Sequence, residues 1–166
     1  MSFDQVDYLC GMMLKKLLIP LSALILWCCQ ESSLYQKVVF FPEHSWSYDN
    51  RPSFDFKISD TIARYRVFFV IRHTDAYEYN NIWVQISSQL PGDSIRRSDR
   101  FNLPLANDKG WLGTGMDDIF DHRILLYPQP VSFKKPGNYN IEIKQDMRID
   151  PLPHVMNIGL RLEKVN

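Results

Sequence analysis

The chain has 166 residues, of which 45% are hydrophobic, and this is enough for one domain with a sizeable core. Lysine plus arginine balance aspartate plus glutamate at 19 each, and no basic stripe carries interleaved aromatic residues, so the composition argues against a nucleic-acid-binding protein. All three cysteines lie within the first 29 residues, which excludes disulfides and thiolate metal sites from the rest of the chain.

The amino-terminal segment has the pattern of a bacterial lipoprotein signal. Lys15 and Lys16 form a basic region, residues 17–27 are apolar, and Cys28 and Cys29 follow. A spanning helix needs roughly 20 apolar residues, so this segment is too short to remain in the membrane. We expect cleavage before Cys29 and lipidation of its thiol, with Cys28 as the alternative site. A cleaved signal without lipidation and an amino-terminal core helix are the other interpretations.

These boundaries divide the chain into three regions. Residues 1–28 are predicted to be the signal peptide, residues 29–33 a lipidated tether, and residues 34–166 a single folded domain. The signal removes two lysines and two aspartates, so the remaining domain keeps its charge balance.

The folded region is predicted to consist of short β-strands, because apolar and polar residues alternate and no segment keeps a 3.6-residue apolar period. Residues 64–73 form the longest run, and their β-branched and aromatic side chains favour a central strand. The predicted strands cover residues 37–41, 53–58, 64–73, 81–87, 100–105, 119–127, 139–143 and 155–165.

Turn residues separate these strands about every ten positions. Residues 108–115 form a glycine-rich turn, and the pair Pro136 and Gly137 has the chemistry of a type II turn. The pattern predicts an all-β fold: an antiparallel two-sheet sandwich, jelly-roll-like, with about eight or nine strands, preceded by the amino-terminal signal helix.

Two segments invite a ligand-binding interpretation. Residues 110–115 are glycine-rich but lack the Lys-Ser/Thr ending of a phosphate loop, so a tight turn is the simpler account. Asp117, Asp118, Asp121 and His122 form the densest acidic cluster, but their spacing lacks the alternating ligands of a calcium loop. Solvated turn residues and a calcium site both remain open for this cluster.

No catalytic motif emerges from the sequence. There is no Gly-x-Ser-x-Gly elbow, no pair of histidines at zinc-binding spacing, and no free cysteine after Cys29. A hydrolytic carboxylate pair cannot be found by inspection. We expect no enzyme activity, no cofactor and no metal, with a hydrolase as an alternative.

Five aromatic residues lie in predicted loops and have two interpretations. They could present stacking platforms for sugars, or they could plug the ends of the sandwich with their polar atoms facing water. The packing interpretation is favoured, and a carbohydrate-binding surface lipoprotein remains the alternative function. The residues are Trp46, Tyr48, Tyr77, Tyr79 and Trp111.

Several short motifs, taken in order, resemble the GldH gliding-motility lipoproteins of Bacteroidetes-type bacteria. The resemblance runs from about Trp46 to the carboxyl terminus and includes the lipoprotein leader. The motifs are Ile-Arg-His-Thr at 71–74, Tyr-Glu-Tyr-Asn-Asn-Ile-Trp-Val at 77–84, Gly-Trp-Leu-Gly at 110–113, Asp-Asp-Ile-Phe-Asp at 117–121, Gly-Asn-Tyr at 137–139, Gln-Asp-Met-Arg at 145–148 and Ile-Gly-Leu-Arg-Leu-Glu-Lys at 158–164.

The resemblance implies an accessory lipoprotein of gliding motility and type IX secretion that acts by contact with other envelope proteins. It implies a membrane anchor through the lipid, and a periplasm-facing position at the outer membrane rather than the cell surface. No catalytic residue is carried over.

Besides Cys29, ten positions match the family pattern. We interpret Trp83 and Tyr139 as packing residues and the glycines as turn residues, whereas Arg72 and Arg148 are either buried, paired arginines or part of an interface. The ten positions are Arg72, Asn81, Trp83, Gly110, Gly113, Asp118, Gly137, Tyr139, Met147 and Arg148.

Overall fold

The computed structural model describes residues 33–165 of the chain. The predicted signal helix, Cys28, Cys29 and the tether up to residue 32 lie outside the described residues. Among residues 33–165, no helix has the length and hydrophobicity needed to cross a bilayer.

The described residues form thirteen β-strands and one 3-10 turn at Pro42–His44. The strands are β1 (Ser33–Phe40), β2 (Ser45–Trp46), β3 (Ser53–Ile58), β4 (Arg64–Thr74), β5 (Asn81–Gln89), β6 (Arg96–Pro104), β7 (Ala106–Asn107), β8 (Gly110–Trp111), β9 (Thr114–Met116), β10 (Ile119–Leu125), β11 (Gly137–Gln145), β12 (Leu152–Pro153) and β13 (Val155–Val165).

Nine of these strands make two antiparallel sheets. The five-stranded sheet has the order β1-β13-β4-β10-β9, and the four-stranded sheet has the order β3-β11-β5-β6. The remaining four strands pair as two short ribbons, β12 with β2 and β7 with β8. The predicted all-β antiparallel class is confirmed, and the nine strands of the large sheets agree with the predicted eight or nine.

The core lies between the two sheets because each strand turns its apolar alternate positions inward. In β3 these positions are Phe54, Phe56 and Ile58, which are buried, whereas Asp55 and Lys57 between them are exposed. β4 and β5 follow the same period of two. The predicted phases of these three strands are therefore confirmed.

The last strand, β13, differs because both of its faces are covered. It lies between β1 and β4 and is buried without interruption from Asn157 to Leu162. A Cβ atom added to Gly159 would lie 2.7 Å from the Lys37 carbonyl oxygen of β1, so only glycine allows the strands to approach this closely. The close contact joins the first and last strands of the described chain.

The four-stranded sheet ends in β6, a longer edge strand than the sequence predicts. The prediction starts at residue 100, but β6 starts at Arg96 and pairs with β5 over nine positions. Its residues 96–100 are exposed and contain no apolar side chain, so alternation could not reveal them.

Candidate functional site

Four of the positions that the sequence resemblance singles out line one surface cavity of about 350 Å³. They come from two distant segments of the chain, β5 and the loop after β11. We call it the Trp83 cavity, and its lining residues are Tyr79, Asn81, Trp83, Arg100, Asp146, Met147 and Arg148.

Strand β5 places Asn81 and Trp83 on the outer face of the four-stranded sheet. The residues between and after them, Ile82 and Val84, point inward and are fully buried, so the alternation of the strand sends Asn81 and Trp83 outward. The Asn81 amide donates a hydrogen bond to the side-chain oxygen of Asn102 on β6 at 2.6 Å. This bond fixes the rim of the cavity at its β6 side.

The loop after β11 is held against Trp83 by two hydrogen bonds. The Asp146 amide donates to the Trp83 carbonyl oxygen at 2.8 Å, and the Trp83 amide donates to the Met147 sulfur at 3.2 Å. Since β11 pairs with β5 only as far as Gln145 opposite Val84, these bonds extend the contact beyond the end of the ladder.

An ion pair covers the indole of Trp83. The Arg100 guanidinium lies 4.1 Å from the ring centroid, and its Nε atom donates to an Asp146 carboxylate oxygen at 2.5 Å. Both charged side chains are substantially exposed, so the pair contributes at most about 1 kcal/mol to stability. Its geometric effect is larger, because the guanidinium occupies one face of the ring.

Met147 is anchored through its backbone, and Arg148 extends from it. The Met147 amide donates to the buried Gln145 side-chain oxygen at 2.8 Å, and the Tyr48 hydroxyl donates to the Met147 carbonyl oxygen. Arg148 is exposed, and within residues 33–165 its guanidinium has no hydrogen-bond or ion-pair partner. The cavity therefore presents an unpaired cation on a fixed backbone.

Arg72 lies on the other sheet and is ion-paired. Its guanidinium donates to both carboxylate oxygens of Asp121 on β10, each at 2.7 Å, on the outer face of the five-stranded sheet. The hydrogen bond to Asp121 is the main cause of a raised pKa at Arg72. Arg72 and Arg148 therefore do not share a surface.

The other matched positions have structural contacts. Tyr139 is buried, stacks on Phe56 at 5.8 Å between ring centroids, and donates its hydroxyl proton to the Lys135 carbonyl oxygen. The Asp118 carbonyl oxygen accepts a hydrogen bond from the Asp75 amide at 2.8 Å, and its side chain is exposed. Neither residue lines the Trp83 cavity.

The three matched glycines meet two different requirements. Gly110 and Gly137 have φ values of 114° and 131°, where side chains are strained. Gly113 does not have a positive φ, but a Cβ atom there would lie 2.4 Å from the Asp121 carbonyl oxygen and 2.9 Å from the His122 ring. Glycine is therefore required at position 113 because a side chain has no room there, and not because of a turn conformation.

A buried histidine pair lies near Gly113 and was not predicted. The Nε2 atoms of His73 and His122 are 2.9 Å apart, and His73 Nδ1 lies 2.7 Å from the Thr74 carbonyl oxygen. Burial is the main cause of a lowered pKa for both rings, to about 4 for His122. The alternation of β4 is the sequence signal for this position: the buried positions that include Ile71 continue two residues further to His73.

The loop aromatics mostly pack inside the domain. Trp46 and Tyr77 are buried; Trp46 stacks on Phe41 at 5.2 Å, and Tyr77 lies 5.1 Å from the His73 ring. Trp111 contacts the same histidine at 4.4 Å. These contacts agree with the packing interpretation and provide no row of exposed coplanar rings.

The acidic cluster does not assemble into a metal site in the described part of the chain. No group of three or more His, Cys, Asp or Glu residues within it is placed to hold an ion. Asp121 binds Arg72, and His122 points into the core.

Comparisons with known proteins indicate the same family as the sequence motifs. A profile of the family described as GldH lipoprotein matches residues 33–162. The gliding motility lipoprotein GldH of Flavobacterium johnsoniae is 26% identical over 152 residues, covering 87% of this chain and 92% of that protein. A GldH homolog from Christiangramia forsetii is 27% identical, covering 82% of this chain and 86% of that protein.

Among solved structures, a carbohydrate-binding module specific for non-crystalline cellulose is similar with a TM-score of 0.43 and 11% identity. The matched region covers 79% of this chain and 73% of the carbohydrate-binding module. Similarity at this level carries no argument about function.

Proposed function

Because this chain belongs to the GldH lipoprotein family, we propose that it is a lipid-anchored accessory protein of the cell envelope that serves gliding motility by contact with other proteins. The lipid on Cys29 provides the membrane anchor. The folded domain faces the periplasm at the outer membrane, where the type IX secretion apparatus supplies its partners.

One observation carries this proposal: Asn81, Trp83, Met147 and Arg148, which the sequence resemblance singles out, converge on the Trp83 cavity. Backbone hydrogen bonds fix the positions of Trp83 and Met147 rather than leaving them on a mobile loop. A rigid aromatic residue beside exposed arginines is the composition typical of protein–protein contact points.

The chemistry of the cavity favours binding over turnover. Its described lining consists of an aromatic ring, a phenol, an amide, a thioether, the ion pair of Arg100 with Asp146, and Arg148. None of the described lining residues forms a nucleophile hydrogen-bonded to a base, which covalent catalysis by a side chain requires.

A sugar platform has less support at this position. Stacking requires a free ring face, and the Arg100 guanidinium lies over the Trp83 ring. We therefore favour a protein partner over a glycan for the Trp83 cavity.

The experiment is a charge reversal at Arg148, with Arg66→Glu as the matched control. Arg66 is also exposed, but it lies on β4 in the other sheet. Each variant replaces the chromosomal copy in the native host, and cross-linked envelope complexes and spreading over agar are measured.

We expect Arg148→Glu to lose the cross-linked complex and to reduce spreading or type IX secretion, while membrane-bound protein stays at the wild-type amount. Arg66→Glu should keep both. If Arg148→Glu and wild type behave alike, the Trp83 cavity is not the contact surface. If wild-type protein cross-links to no envelope component, the contact function itself is wrong.

A further inference from the structure

Strand β6 presents an unpaired backbone edge. It pairs with β5 from Arg96 opposite Gln89 to Pro104 opposite Asn81, and no other strand of residues 33–165 pairs with it. Half of the N–H and C=O groups of an edge strand point away from the sheet, which makes such an edge a template for another strand.

An apolar cavity of about 370 Å³ lies beside this edge, between the two sheets. Its volume is within the range of pockets that bind ligands. We call it the β6 cavity, and its apolar walls include Val67, Ile86, Leu126, Tyr127, Phe133 and Ile141.

The edge and the cavity are connected by the pleat of β6. Arg97 and Asp99 lie opposite Ser88 and Ile86 of β5, and all four residues line the β6 cavity. A strand added along β6 would continue this pleat, so its alternate side chains would point toward the cavity while the others faced solvent.

The charge at the cavity mouth selects the partner. Arg97 and Lys134 line the cavity with Asp99 as the one carboxylate, and Arg96 starts the strand. In the part of the chain that the structure describes, neither Arg97 and Lys134 at the cavity nor Arg96 on the opposite, solvent face of β6 makes an ion pair, which leaves this edge of the sheet basic. A second copy of β6 would carry the same excess of positive charge, and this repulsion disfavours self-association through the edge.

We infer that β6 and the β6 cavity form a docking site for an extended segment of another protein, in which apolar side chains alternate with acidic ones. The backbone edge provides the hydrogen bonds, the cavity takes an apolar side chain, and Arg96 lies on the solvent face that the carboxylates share, while Arg97 and Lys134 at the cavity add to the positive charge that attracts the segment. This site goes beyond the proposed function because it lies apart from the Trp83 cavity and neither depends on the other.

Synthetic peptides provide the test. The full-length chain is reconstituted in nanodiscs of uncharged lipid and titrated into a fluorescent peptide of about seven residues that alternates glutamate with valine or leucine. A second peptide has lysine in place of each glutamate. Two further acidic peptides carry N-methyl groups on one or the other set of alternate backbone amides, since only one set can face β6.

We expect the acidic peptide to bind at least about tenfold more tightly than its lysine counterpart. One N-methylated peptide should lose binding while the other keeps it, because a strand donates to its neighbour from alternate residues only. Arg96→Glu, on the solvent face of β6 that the carboxylates share, should weaken the acidic peptide about tenfold, and Arg66→Glu, the matched exposed arginine on β4, should leave it unchanged.

The cavity is tested separately with Ser88→Phe, which adds a ring into it while circular dichroism reports on the fold. This variant should weaken the acidic peptide at least as much as Arg96→Glu. Absence of peptide binding, equal binding of the acidic and lysine peptides, or indifference to N-methylation would each overturn the inference. Binding of palmitate in the cavity without any peptide binding would overturn it in favour of a lipid site.

Discussion

His73 and His122 put two ionisable rings in the interior, and their hydrogen bonds define which nitrogens carry protons. A carbonyl oxygen only accepts, so His73 Nδ1 donates to Thr74 and His73 Nε2 accepts from the His122 Nε2–H. This arrangement holds with both rings neutral. Charging one ring would place a cation among the rings of Trp111 and Phe120, where its hydration is lost.

The pair predicts that stability falls as the pH is lowered below neutrality. Both pKa values are below the ordinary 6.5, so between about pH 6.5 and 4 the unfolded chain binds more protons than the folded one. The free energy of unfolding should therefore have its full value above pH 6.5. It should decrease toward pH 5 by on the order of 1 kcal/mol per pH unit for His122, and the lowered pKa of His73 acts in the same direction.

Urea unfolding followed by tryptophan fluorescence between pH 7.5 and 5 measures this slope. His122→Gln should flatten it, whereas His44→Asn, at an exposed histidine with positive φ, should leave it unchanged. A wild-type stability that stays constant or rises as the pH falls through this window would contradict the neutral pair.

At the scale of elements, β4 shows how one strand serves two environments. Phe69 points into the core with 0% exposure, and its neighbour Phe68 lies half-buried on the outer face, where the Arg123 guanidinium lies 5.2 Å from its ring centroid. The two positions have the same residue type and the same strand neighbours, so they differ mainly in which face they occupy.

Truncation at these two positions should therefore have unequal costs. We expect Phe69→Ala to lower the free energy of unfolding by about 3–5 kcal/mol, because it leaves a cavity in the core. Phe68→Ala should cost about 1 kcal/mol, from partial burial and a cation–π contact. Chemical unfolding measures both, and similar losses would show that the face assignment of β4 is wrong.

How much was predictable differs between elements for physical reasons. Alternation predicted β3, β4 and β5 because one face of each is buried. It missed the first half of β6, since no side chain of residues 96–100 enters the core. For β13 it predicted only one buried face, whereas the residues on both faces are buried from 157 to 162. The Trp83 cavity could not be predicted from the sequence, because Trp83 and Met147 are 64 residues apart and come into contact only when β11 lies beside β5.

At the scale of the whole molecule, a charge-balanced chain with no cysteine after position 29 relies on its core for stability. Matching positive and negative totals give the domain no net attraction to an anionic membrane surface. Under the proposed function, the lipid on Cys29 therefore supplies the membrane affinity.

Replacement of Cys29 tests the proposed anchor. Cys29→Ser should abolish palmitate labelling and release the protein from the membrane fraction, while Cys28→Ser, the adjacent control, should keep both. The opposite pattern would move the lipid to Cys28. Labelling that survives in the double variant would contradict the lipoprotein assignment.

The insertion of β13 between β1 and β4 also sets an order of events during biosynthesis. The first strand of the domain has its ladder partner at the far end of the chain, with Val39 opposite Ile158 and Lys37 opposite Leu160. Pairing across such a sequence separation is slow because a long loop must close first. The ribosome must therefore deliver the last residues before the larger sheet can form, and a nascent chain that stops short of Val155 leaves both β1 and β4 without their shared neighbour.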